Sequence, residues 1–350
     1  MPEPRYAALL GTGRYLPERV VTNVDLEEIL DTSDQWIQER TGIRERRYVA
    51  DGESGAMMAT AAARHALEMA HLRPDDVDLI VLATLSPDVC FPGNGVYIGA
   101  ELGIPGTPCL DIRQQCTGFI YGLSLAEAYI RSGRYDYVLV IGSEIHSSGI
   151  EMAPRGRDVS VLFGDGAGAA LLGPTTDVNR ALLGTWVHSD GRHAEELWTE
   201  GPASRKNPRV AADDVANGSV FPKMNGQKVF KFACRHMVEA VKEAVDAQGV
   251  QIADVDFFVF HQANMRIIDF VLKALRIPES KTHCNIDRYG NTTAASIPIA
   301  LDEAGRAAMI PPGALVCLAA FGSGFTWGSA LLRWPTGEGG TQTANEQEGV

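Results

Sequence analysis

Residues 76–83 read DVDLIVLA and residues 254–261 read DVDFFVFH, 178 positions later. Each follows a helical stretch, MMATAAARHALEMAH at 57–71 and VFKFACRHMVEAVKEAVDAQ at 229–248. The correspondence continues outward in the same order. Residues 111–128 (DIRQQCTGFIYGLSLAEA) stand against 287–304 (DRYGNTTAASIPIALDEA), an offset of 176. YVLVIGS at 137–143 stands against CLAAFGS at 317–323, offset 180, and GAALL at 168–172 against GSALL at 328–332, offset 160. Four ordered matches imply an internal duplication. The competing reading is that any α/β chain repeats helix, apolar strand and small-residue turn.

LIVLAT, YVLVIG, FFVFH and ALVCLAAF are continuous apolar runs, which suit strands covered on both faces by helices. TGFIYGLSLAEAYI and its counterpart TTAASIPIALDEA are small and apolar around most of the helix, as central helices are. The expected fold class is therefore α/β, with two pseudo-symmetric α/β halves in layers packed through buried helices. The halves are assigned to residues 1–175 and 176–334, with a polar, mobile tail at 335–350 (PTGEGGTQTANEQEGV). Two segments break the symmetry: 86–106, and a long exposed excursion at 189–223 rich in charge, Pro and Asn.

The 350 residues carry 31 Lys+Arg against 44 Asp+Glu, a net charge of -13, which argues against nucleic acid or an anionic membrane as partner. No run of 18 apolar residues occurs, so no membrane span is expected. The opening MPEPRYAALL lacks the basic and apolar regions of a signal peptide. Cys90, Cys109, Cys116, Cys234, Cys284 and Cys317 are scattered without a C-x-x-C pair. Reduced thiols in a cytoplasmic protein are expected, and no metal site.

Cys116 follows an apolar stretch and opens a helix, where the partial positive charge favours a thiolate and its own N–H is free for an oxyanion. The alternative is a buried structural cysteine. His261 ends an apolar strand, where sheet ligands bind; a core histidine is the alternative. Asn291 lies in the turn equivalent to that of Cys116, and by itself is an N-cap. Together a thiolate and two hydrogen-bond donors make a coherent acyl-transfer set. GDGAGAA at 164–170 imitates a dinucleotide fingerprint but runs into a strand, so a phosphate cradle is not expected. FGSGF at 321–325 can bring backbone N–H groups close to a substrate and is read as a second oxyanion donor; a tight β-turn is the alternative.

The strings DTSDQWIQERTGIRERR (31–47), CTGF (116–119), FGDGAGAA (163–170), HQANMRII (261–268), RYGNTTAAS (288–296) and FGSGFTWGSAL (321–331) resemble the β-ketoacyl-acyl-carrier-protein synthase III family, from about residue 6 to 334. The resemblance implies a thiolase-like fold in five layers (α-β-α-β-α). It implies a ping-pong condensation: an acyl-CoA primer acylates Cys116, and malonyl-acyl carrier protein is decarboxylated with help from His261 and Asn291. The backbone N–H groups of Cys116 and Ser323 form the implied oxyanion hole. Trp36, Arg40 and Arg157 are implied as coenzyme A contacts, and Phe91, His146, Phe163 and Trp198 as the acyl pocket. Lys231 and Arg266 are implied as docking sites for the acidic carrier protein, on a patch that includes Lys228, Arg235, Lys273 and Arg276. A homodimer and no cofactor are also implied, acyl-CoA being a substrate.

Several positions depart from the family's pattern. Arg113-Gln114-Gln115 replaces small residues, His146 and Trp198 replace leucines, Ser323 replaces a glycine, and the 199–223 excursion is long. Acetyl-CoA is thus the default primer and a longer acyl group an open alternative, as is a secondary or shunt pathway. A same-fold hydrolase or acyltransferase is the rival activity; Asn291 in place of a second cysteine argues against a thiolase.

Overall fold

A computed structural model describes residues 4–336; the tail assigned to 335–350 lies outside them beyond Thr336. Nine strands form two main sheets: β1 (Tyr6–Tyr15), β2 (Leu79–Ala83), β3 (Cys109–Ile112), β4 (Val138–Glu144) and β5 (Gly166–Thr175) in the first, and β6 (Leu182–Ser189), β7 (Phe257–Phe260), β8 (Leu315–Gly322) and β9 (Thr326–Arg333) in the second. The first sheet has the order β1-β5-β4-β2-β3 and the second β6-β9-β8-β7. In both, the strand after the long helix pairs in parallel with the next central strand; β2 also pairs in parallel with the edge strand β3, and the remaining pairings are antiparallel.

Strand register refines the repeat. Leu79 faces Val138 in the first sheet and Phe257 faces Val316 in the second, so both strands are displaced by 178 (79 to 257, 138 to 316). The offset of 180 inferred for the second strand is corrected. A slip of two leaves the side-chain pattern of a strand unchanged, so sequence matching does not detect it. The 160 offset holds, since Val138 faces Leu172 and Val316 faces Leu332.

Alternation along the apolar strands explains the layers. Leu79, Val81, Val138 and Val140 pack on one side of their sheet, with Phe257, Val259, Val316 and Leu318 of the other sheet. Between them lie α3 (Gly118–Arg131), through Phe119, Ile120 and Leu123, and α6 (Ser296–Arg306), through Ile297, Ala300 and Leu301. Ile80, Leu82, Leu139 and Ile141 face outward onto α2 (Gly55–Ala70). Phe258, Phe260, Cys317 and Ala319 face outward onto α4 (Gly226–Ala247) and α5 (Met265–Leu275). The result is the expected five layers. A shorter helix, α1 (Asp34–Thr41), starts at a Ser33 N-cap and borders the site.

The excursion is more ordered than its composition suggests. Leu197-Trp198 pairs with Lys223-Met224 as a two-stranded root. Beyond it, Lys206 and the Ser219 hydroxyl both donate to Asp214, and Arg155 donates to the Ala216 carbonyl at 2.9 Å.

Candidate active site

Strand β3 feeds a turn in which Gln115 adopts φ 43°, and a 3-10 turn spans Gln115–Thr117 before α3 begins at Gly118. A non-glycine residue in the left-handed region is costly and marks a constrained corner. The Thr117 hydroxyl donates to the Gln114 carbonyl and lies 2.8 Å from the Thr326 hydroxyl at the start of β9. The end of β8 closes on the same corner. A Cβ at Gly322 would lie 2.6 Å from Cys116 Cβ and 3.2 Å from its sulfur, so only glycine allows this approach. The backbone N–H groups of Ser323 and Cys116 are turned toward the sulfur and favour its ionised form.

Those two donors do not ionise the thiol. Burial first, and the field of Glu144 second, push Cys116 up to about 12. The expectation of a resting thiolate is corrected: the α-helix starts two residues beyond the sulfur, and enclosure outweighs the partial charge of its end. The Glu144 carboxyl is itself wholly buried. It accepts from Ser86 Oγ at 2.6 Å and from the Leu85 N–H, yet burial raises it to about 7. Iodoacetamide alkylation of Cys116 in the substrate-free protein is therefore expected to keep accelerating, by about tenfold per pH unit, from about pH 7 to about 9. A plateau in that range would show a preformed thiolate.

His261 follows β7, and its backbone N–H donates to Ala319 at 2.9 Å, extending the parallel pairing. Ser296, the first residue of α6, lies 2.6 Å from His261 Nδ1 and accepts from the Gln262 N–H at 3.4 Å. We assign the tautomer in which the Ser296 hydroxyl donates to Nδ1 and the ring proton sits on Nε2, which has no partner in the protein. Burial holds His261 down at about 3, so the ring is a neutral donor. Asn291 is fixed from both sides. Its N–H donates to the Leu162 carbonyl at 2.8 Å, its carbonyl accepts from Gly164, and its Oδ1 accepts from the Thr293 N–H at 2.9 Å. Its amide NH2 remains as the donor edge.

Cys116, His261 and Asn291 line one cavity of about 670 Å³, whose wall and mouth include Phe163, Leu197, Phe321, Trp36, Arg40 and Arg266. Arg157 and Arg40 lie over the Trp36 ring, 4.9 and 5.6 Å from its centroid, and Arg157 also donates to the Asp31 carbonyl. The four residues expected in an acyl pocket separate. Phe163 lines the cavity, and His146 lies behind it, stacked at 4.5 Å. Trp198 does not line it. Neighbours on a strand point to opposite faces, so Leu197 takes the cavity side while Trp198 stacks under Arg205 at 5.0 Å. Phe91 is 82% exposed on the surface of this single chain.

Lys231 and Arg266 are exposed, and Arg266 lies over the Phe230 ring at 5.2 Å. Two other members of the basic patch are neutralised: Lys228 pairs with Glu196 at 2.6 Å and Arg235 with Glu239 at 2.8 Å. Among the described residues, Lys231, Arg266, Lys273 and Arg276 form no ion pair. Ser323 does more than its backbone: its hydroxyl donates to the Leu197 carbonyl, tying the root of the excursion to the sulfur-facing loop.

Sequence reasoning missed Ser296, Thr293 and Glu144. Of these, Ser296 left a trace: the 178 offset sets it against Gly118, a hydroxyl where the other half has none. The GDGAGAA string runs into β5, as expected, and Asp165 within it is buried and accepts from the N–H groups of His146 and Ser147.

The family model of 3-oxoacyl-[acyl-carrier-protein (ACP)] synthase III matches residues 110–191, and the model of its C terminal matches residues 245–334. The chain is 42% identical over 328 residues to a beta-ketoacyl-[acyl-carrier-protein] synthase III of Caldanaerobacter subterraneus subsp. tengcongensis, covering 94% of this chain and 98% of that one. It is 44% identical to the same-named protein of Escherichia coli O9:H4, covering 94% and 100%. Among solved structures, 3-oxoacyl-[acyl-carrier-protein] synthase III from Aquifex aeolicus VF5 superposes with a TM-score of 0.85 at 42% identity, over 94% of this chain and 100% of that one. The priming beta-ketosynthase of the R1128 polyketide biosynthetic pathway superposes with a TM-score of 0.86 at 35% identity, over 96% and 98%.

Proposed function

The chain belongs to the 3-oxoacyl-[acyl-carrier-protein] synthase III family, and from that membership we propose that it condenses an acyl-CoA primer with malonyl-acyl carrier protein in fatty-acid initiation. The products are β-ketoacyl-acyl carrier protein, coenzyme A and CO2. The observation that carries the reading is the convergence of Cys116, His261 and Asn291 on one cavity, with His261 Nε2 left without a protein partner.

In the first half-reaction the primer's carbonyl oxygen sits against the Cys116 and Ser323 N–H groups, which strengthen as negative charge develops there. The sulfur attacks, the carbon–sulfur bond to coenzyme A breaks, and the thiol's proton ends on the departing coenzyme A sulfur. A neutral thiol that loses its proton only on attack fits the depth of its burial. In the second half-reaction malonyl thioester occupies the same space. Its carboxylate leaves as CO2 and the electron pair moves into an enolate. The oxygen of that enolate accepts from His261 Nε2–H and the Asn291 amide. The carbanion then attacks the acyl-Cys116 carbonyl, and the Cys116 sulfur leaves as a thiolate that takes a proton from solvent to restore the thiol.

Trp36, Arg40 and Arg157 at the mouth are read as coenzyme A contacts, where an aromatic ring among guanidinium groups suits a nucleotide carrying phosphates. Lys231 and Arg266, unpaired on a chain of net charge -13, are read as a local field for an acidic carrier protein. The exposed Phe91, with Leu110 on the edge strand β3, supports a homodimer in which a second copy covers this surface. No described helix is long and apolar enough to cross a membrane; a cytoplasmic enzyme needing no cofactor is the reading adopted. Acetyl-CoA is the default primer. The likeness to a priming ketosynthase favours, as a second reading, a longer or specialised primer.

Incubation with a panel of acyl-CoAs, followed by intact-mass measurement, identifies the primer as an adduct on Cys116. Addition of malonyl-acyl carrier protein is expected to release CO2 and leave on the carrier a chain two carbons longer than the primer. Transfer or hydrolysis of the adduct without CO2 would make the chain a transferase or hydrolase of the same fold.

A further inference from the structure

His146 is 7% exposed, and a buried imidazole costs desolvation that an apolar residue of the same size would avoid. Its position is held firmly: its N–H donates to Asp165 at 2.7 Å, and its ring stacks on Phe163 with centroids 4.5 Å apart. It does not line the cavity; Phe163 stands between. Packing against Phe163 would be satisfied by any ring, so the polar contact is what needs an explanation.

That contact is a 2.6 Å hydrogen bond between His146 Nε2 and Thr293 Oγ1. Thr293 is 1% exposed and adopts φ 52°, a left-handed conformation that is unfavourable for a β-branched residue and persists only where its surroundings enforce it. In this conformation its N–H donates to Asn291 Oδ1 at 2.9 Å. A carboxamide has two edges of opposite polarity, and this bond decides which of them is left over. Gln115, beside the nucleophile, has φ 43° and lies 178 positions before Thr293, so the two turns share one backbone shape. Thr293 carries a hydroxyl that a buried ring can grip.

We propose that His146 is a positioning residue: by bonding Thr293 Oγ1 it holds that residue in its left-handed conformation, with the N–H on Asn291 Oδ1, so that Asn291 presents its NH2 edge to the reacting thioester. The proposal rests on the condensing activity proposed above. It also fits a neutral imidazole, since burial depresses His146 to about 3.

Two substitutions separate the bond from the packing. His146→Phe keeps a ring against Phe163 and removes the hydrogen bond. His146→Gln places an amide at about the reach of Nε2 and restores it. For H146F, CO2 release from malonyl-acyl carrier protein should fall about tenfold, while acylation of Cys116 by acyl-CoA stays within about twofold. H146Q should remain within about threefold of the parent in both half-reactions. Thr293→Val should match H146F, and the double substitution should be no worse than either. Equal loss in both half-reactions, no loss in H146F, or an H146Q as slow as H146F would each overturn the proposal. If the parent protein releases no CO2, the functional reading fails, and the positioning claim is decided by the crystal structure of H146F. There Thr293 should leave the left-handed region and Asn291 Oδ1 should lose its bond; an unchanged turn overturns the claim.

Discussion

Replacing Cys116 by alanine is expected to abolish acyl-enzyme formation and lower condensation by about 10⁴-fold or more, the scale seen when a covalent nucleophile is removed. No other described cysteine can substitute. The other thiols do not line the cavity, and Cys317, equally enclosed, is also pushed up to about 12. Cys116 faces the cavity and the backbone of Gly322, so loss of one sulfur atom removes little packing and the fold should persist. The substitution leaves His261 and Asn291 intact. Release of CO2 from malonyl-acyl carrier protein should therefore survive in C116A while the mass adduct from acyl-CoA disappears. An adduct that persists would remove Cys116 from the mechanism.

The second large effect is expected at His261. In the proposed reaction its Nε2–H is one of two donors to the enolate oxygen, and losing such a donor costs about 10²–10³-fold in rate. His261→Ala should therefore cut CO2 release and condensation by that factor, while acylation of Cys116 changes by less than about tenfold. Equal loss in the two half-reactions would assign His261 a merely structural role. The pH dependence follows from burial. The ring stays neutral until pH falls toward about 3, so the parent should show no acid limb at pH 6.5, where a free imidazole titrates. An inflection there, absent in H261A, would mean that an ionised His261 takes part.

Much of this site was legible in the chain. Cys116, His261 and Asn291 came from strand ends and turns related by the duplication, and the family strings placed the cavity mouth at Trp36 and Arg40. The backbone bears out the repeat but shifts its register. Apolar alternation repeats every two residues, so a slip of two in the strand pair cost nothing in pattern. Trp198 was misplaced for a related reason: one residue along a strand reverses the face, and Leu197 holds the cavity side. In the basic patch, sequence proximity counted six cations alike. The fold brings Glu196 to Lys228 from a separate turn, while Glu239 reaches Arg235 from the next turn of its own helix.

The chain by itself determined the layered α/β architecture and the duplication and pointed to the candidate reacting groups, because these depend on periodicity and small-residue turns over a few positions. The folded molecule decided their chemical state. Cys116 is a thiol rather than a thiolate because strands distant in sequence exclude water from its sulfur and set Glu144 nearby. His261 is assigned as an Nε2–H donor because Ser296, at the start of a helix distant in sequence, meets its other nitrogen. Asn291 offers its NH2 edge because the Thr293 N–H meets its oxygen, with His146 gripping the Thr293 hydroxyl from another strand end. Solvation, local field and hydrogen-bond partners are sums over neighbours in space, and only tertiary structure makes those neighbours.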